Sequence, residues 1–108
     1  MTVNTLLSMD GFSPVAIADG EAQIEGVYIG DLLSWVMGRA NAGDAWITIM
    51  SNINILAVAT LSDVACIILA EGVQLEEEVK TAAQQKGINV ISSDMSAYHI
   101  AAALSKAL

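Results

Sequence analysis

The chain has 108 residues, with twelve acids against four bases for a formal net charge of −8, and one cysteine. That length suits a single domain over residues 1–108. So few lysines and arginines exclude nucleic-acid binding, which draws its affinity from basic groups on phosphates.

In chain order, residues 2–9 predict a short helix through Val3, Leu6 and Leu7, ended by Asp10-Gly11. Pro14 stops any continuation, and Val15 to Ala18 reads as a short strand. After the Asp19-Gly20 turn, Ala22 to Ile29 alternates with period two, as a half-exposed edge strand does. Gly30-Asp31 introduces a helix, LLSWVMGRA, with Asp31 placed to cap it and Leu32, Trp35, Val36 and Arg39 at helical spacing. Asn41 to Asp44 closes that helix.

The stretch from Trp46 to Gly72 organises the rest. Two β-branched runs, Trp46 to Ile49 and Ala65 to Leu69, flank a helix where Ile53, Ile55, Leu56, Val58, Ala59 and Leu61 crowd together. Strands apolar on both faces are what a parallel sheet covered by helices demands. Glu76-Glu77-Glu78 then opens a helix that Gly87 ends, a placement that matches the helix dipole. Ile88 to Ile91 is a further strand, and Met95 to Leu108 the final helix, with Ser93 or Asp94 as its cap. This β-α-β-α-β-α alternation predicts an α/β fold, a mainly parallel sheet with helices packed on its faces.

Hydrophobic residues make up 55% of the chain, against an ordinary ~45–50%. That surplus predicts uncovered apolar surface, and with it a homodimer. Met1 to Met9 lacks the basic start of a signal peptide. Asn54, Thr60, Ser62 and Asp63 interrupt the most apolar segment short of the ~20 residues a membrane span needs. The expectation is a cytoplasmic protein with no membrane segment.

Chemistry has few places to sit. In a parallel sheet, ligands collect outside the carboxyl ends of the strands. The candidate lining is therefore Ser51, Asn52 and Asn54 after one strand, Glu71 and Gly72 after the next, and Ser92, Ser93 and Asp94 after the third. The same residues also suit helix caps, so both roles stand. Cys66, mid-strand among apolar neighbours, reads as a small buried hydrophobe. His99 lies beside the last helix's apolar stripe and has no partner at fixed spacing to make a base. No phosphate-binding glycine loop, nucleophile elbow, metal-spaced pair or cofactor motif is present. No catalytic residue, metal or cofactor is expected.

The segments GVYIGDLLSWVMGRANAGDAWITIMSNINILAVATLSDVACIILAEG and GINVISSDMSAYHIAAAL resemble the DRTGG domain family, in particular its small stand-alone members. The resemblance spans about Glu25 to Leu108. It implies a domain similar to the N-terminal domain of HPr kinase, which is not that enzyme's catalytic part. Related domains look like regulatory or dimer-forming modules, with adenine nucleotides implicated where CBS domains accompany them. The stand-alone members point to a cytoplasmic partner of a hydrogenase or serine kinase system. The family's Asp-Arg pair falls here at Ser51-Asn52 and its Thr-Gly-Gly at Ala70-Glu71-Gly72, so Gly72 alone of the five is kept. Loss of the arginine removes the best phosphate partner. The reading that follows is a non-catalytic regulatory or scaffold module acting through homodimerisation and protein contacts. The alternative is a small-ligand sensor, adenine-nucleotide-like, using the strand-end crevice.

Overall fold

The computed structural model describes residues 1–108. Its elements run α1 (Val3–Leu7), β1 (Ser13–Ala16), β2 (Gly26–Ile29), α2 (Leu33–Arg39), β3 (Asp44–Thr48), α3 (Asn54–Ser62), β4 (Cys66–Leu69), α4 (Glu77–Gln85), β5 (Val90–Ser92) and α5 (Ala97–Ala107). One five-stranded sheet has the order β1-β5-β4-β3-β2. β2 through β5 are parallel neighbours and β1 joins β5 antiparallel, so the sheet is mostly parallel, as expected.

Period-two alternation sorts the central strands onto two cores. Trp46, Ile67 and Leu69 point to one face and meet Val36, Ile55, Leu56, Val79 and Ala83 of α2, α3 and α4. Ala45, Ile47, Cys66 and Ile68 point to the other and meet Leu6 of α1 with Ile100 and Leu104 of α5. Every residue of β3 and β4 is buried, which is why neither strand shows polar alternation. No helix is long and apolar enough to cross a membrane.

Four expectations need correction. β1 begins at Ser13 and includes Pro14, because an edge strand can turn the missing N–H outward. β2 is confined to Gly26–Ile29, shorter than the alternation from Ala22 predicts. Asp31 does not cap α2; Leu32 holds the cap position with no side-chain bond. Its Oδ1 instead accepts from the Thr48 hydroxyl at 2.8 Å and the Ile49 amide at 3.0 Å. The last helix starts at Ala97, where Ser96, not Ser93 or Asp94, accepts from the His99 amide.

The helical stripe of α2 also faces differently from its spacing. Only Val36 is fully buried there; Leu32 is 57% and Trp35 53% exposed. Of the apolar residues that crowd together between β3 and β4, Ile53 and Leu61 are likewise exposed. Amphipathic spacing identifies an apolar face, and says nothing of which surface covers it.

Candidate functional site

The carboxyl ends of β3, β4 and β5 lie along one edge of the sheet, and the start of β1 joins them because it runs the other way. Two of the three candidate loops are knitted together. The Glu71 amide donates to the Met95 carbonyl and the Gly72 amide to the Ser93 carbonyl, both at 2.9 Å. Ser93 is buried; its amide donates to Leu69 O and its hydroxyl accepts from the Met95 amide at 3.1 Å. A Cβ on Gly72 would lie 3.1 Å from an Asp94 carboxylate oxygen, so the two loops touch.

A hollow of about 180 Å³ opens beside them, lined by Gly11, Phe12, Ser13, Ser92, Ser93, Asp94 and Met95. Ser92, Ser93 and Asp94 therefore line a cavity, with Glu71 and Gly72 adjoining it. Ser51, Asn52 and Asn54 lie on the same edge outside that hollow. There Asn52 Oδ1 accepts from the Asn54 amide at 2.9 Å, a local turn bond. No local sequence signal marks Gly11 to Ser13, since only the long-range pairing Ser13↔Ser92 brings them in. No lysine or arginine lines this hollow. In an adjacent one of about 260 Å³, the lysine present, Lys80, is bonded to Glu77 at 3.2 Å.

A cavity of about 490 Å³ lies at the opposite edge, by the amino ends of the strands. Asp19, Glu25 and Asp63 ring it with Lys86 and Asn89, and no sequence feature announced it. Asn89 is buried and fully bonded. Its Oδ1 accepts from the Ala18 and Asp19 amides, and its Nδ2 donates to the Asp19 and Ala65 carbonyls.

The glycine-rich segment GVYIGD has an architectural use. Gly30 O accepts from the Trp46 indole N–H at 2.9 Å, and a Cβ on Gly30 would strike the Tyr28 ring at 2.9 Å. A Cβ on Gly26 would meet the Asp44 carboxylate at 2.6 Å. Cys66 is a free, buried thiol whose pKa burial pushes up to about 12, which keeps it protonated and unreactive. His99 is exposed; its Nδ1 lies 2.9 Å from the Ser96 hydroxyl and its ring meets Tyr98 edge-on. No three His, Cys, Asp or Glu side chains converge as a metal site.

Exposed apolar side chains and charges are segregated along the chain. Seven of the nine large exposed hydrophobic side chains fall between residues 26 and 62: Ile29, Leu32, Trp35, Met37, Ile49, Ile53 and Leu61. The charged residues of that stretch are Asp31, Arg39 and Asp44, a net of −1, which leaves −7 on the remainder. All three are engaged: Asp31 at Thr48, Arg39 stacked 3.8 Å over the Trp35 ring, and buried Asp44 accepting from the Asn41 amide.

The DRTGG domain family profile matches residues 17–107. No curated protein matches the chain. Among solved structures, the CBS and DRTGG domains of the regulatory region of a Clostridium perfringens pyrophosphatase, complexed with the activator diadenosine tetraphosphate, align with a TM-score of 0.64 at 17% identity. The alignment covers 90% of this chain and 41% of that one, and it shows a shared fold.

Proposed function

The chain belongs to the DRTGG domain family, and on that premise we propose that it is a non-catalytic regulatory module acting through homodimerisation and protein–protein contacts. The observation that carries this reading is the segregation just described. Residues 26–62 combine exposed apolar side chains with almost no net charge. Exposed apolar surface in excess of the ordinary marks contact sites with other proteins. The likeness to the non-catalytic N-terminal domain of HPr kinase belongs to the same reading. So does a cytoplasmic partner from a hydrogenase or serine kinase system, as the family resemblance implies.

Sedimentation velocity tests it. The wild-type chain is expected to run as a dimer, and the double variant Leu32→Glu, Trp35→Glu as a folded monomer. A wild-type monomer at high concentration removes homodimerisation.

The second reading is a sensor for a small ligand in the crevice of Ser92, Ser93 and Asp94 with Glu71 and Gly72 beside it. The shared fold with a regulatory region bound to diadenosine tetraphosphate favours it. Against a phosphate ligand stand the acidic Glu71 and Asp94 and the lack of a facing base. A ligand that binds the native state raises its melting temperature. Millimolar AMP, ATP and diadenosine tetraphosphate are expected to give no shift, and a saturable rise with any of them would install the sensor reading instead.

A further inference from the structure

The two edges of the sheet are treated differently. At β1, Pro14 supplies no N–H and the pairing with β5 shifts register between Pro14 and Ala16. A proline and a bulge are the devices by which sheets prevent edge-to-edge pairing. β2, Gly26-Val27-Tyr28-Ile29, has no proline, no charge and an unbroken register with β3. Its outer edge is left open.

Which backbone groups face that edge follows from the ladder. The Gly30 amide donates to Ile47 O on β3. Peptide groups alternate along a strand, so Tyr28 and Gly30 face β3 while the N–H and C=O of Val27 and Ile29 face outward. An apolar groove of about 620 Å³ runs beside them, lined by Val27, Tyr28, Ile29, Ala101, Ser105 and Leu108.

We propose that a second copy of this chain covers this edge, pairing β2 antiparallel with β2 across a two-fold axis at Tyr28 to join two five-stranded sheets into one. The proposal rests on the docking reading above and names its surface. The segment is self-complementary: Val27 of one copy stands opposite Ile29 of the other, and each such pair exchanges two backbone hydrogen bonds. The occupant is argued from charge. Two copies at −8 each repel, but β2 itself carries no charged side chain, so they can meet along it without setting like charges directly opposite one another. The carboxylates that bracket the strand turn away from the edge, Asp31 onto Thr48 and Glu25 against Gly43.

Two measurements test it together. The residues at the axis form a non-hydrogen-bonded pair with Cα atoms ~4.5 Å apart, within disulfide reach. Tyr28→Cys should therefore cross-link to a covalent dimer under mild oxidation, whereas Gln84→Cys, exposed on α4 beside β1 at the other side of the sheet, should not. In unmodified protein, hydrogen exchange should show Val27 and Ile29 amides protected at high concentration and released on dilution, with Tyr28 and Gly30 protected throughout. A dimer whose Val27 and Ile29 amides exchange freely at every concentration overturns the pairing and leaves the docking reading standing. A chain that is monomeric at every concentration overturns both.

Discussion

At the amino ends of the strands, Asn89 reaches across the sequence to hold Ala18, Asp19 and Ala65. At the carboxyl ends the polar side chains bond mostly to near neighbours. Thr48, Asn52 and Ser93 each accept from the amide two residues on. Asp31 is the exception, tying the end of β2 to the end of β3. The first arrangement fixes tertiary structure, because removing one residue unties three segments. The second fixes only the shape of each loop. Loops built this way can change sequence without disturbing the sheet, which is the property a recognition edge needs.

The contrast is tested most severely at Asn89. Asn89→Ala removes four hydrogen bonds and strands the Ala18 and Asp19 amides, so a loss of about 4 kcal/mol is expected in urea denaturation. Asn52→Ala, at the other end, should cost under about 1 kcal/mol, since one local bond is lost in exposed surroundings. Equal costs for the two variants would erase the distinction.

Cys66 sharpens it on the pH axis, because the thiol begins β4 at the amino end. Its pKa is raised by burial from 9.0 to about 12, so the thiol stays protonated in the native state where the unfolded chain ionises. The native state then binds more protons, and stability is present in full below pH 9 and falls between pH 9 and 12. The expected slope is about 1.4 kcal/mol per pH unit from this group. Cys66→Ala should remove that increment when alkaline denaturation curves of the two proteins are compared. Parallel curves would mean that water reaches the thiol.

How much of this was legible in the sequence follows the same division by reach. The β3-α3-β4-α4-β5-α5 run was readable because apolar periodicity and helix terminators such as Gly87 act within a few residues. Ser92, Ser93 and Asp94 were readable as a strand end for the same reason. Asn89 was not, because its four bonds join positions 24 to 71 residues away and its local context is merely a short strand. The inclusion of Pro14 in β1 and the entry of Gly11 to Ser13 into the carboxyl-edge hollow depend on pairing with β5, again long-range. For α2 the spacing correctly marked an apolar face. Spacing does not say which surface covers that face, and most of it lies exposed.

The smallest effect falls at the carboxyl edge, at Glu71. Glu71 and Gly72 both have positive φ, +60° and +73°, and the Val73 amide closes the turn onto Ala70 O at 3.2 Å. Two left-handed residues in succession suit glycine, and a side chain there costs about 1–2 kcal/mol. Glu71→Gly relieves the strain and gives back part of it, about 0.4–1 kcal/mol, through the freer unfolded chain. A net gain of about 0.5–1 kcal/mol is expected, seen as a higher urea midpoint with an unchanged slope. The glutamate makes no side-chain bond that would offset the loss. Should Glu71→Gly instead lower the midpoint, the carboxylate contributes a favourable interaction at this edge, and a side chain there does more than shape its own loop. The carboxyl edge would then resemble the amino edge, and the comparison would fail where it is cheapest to test.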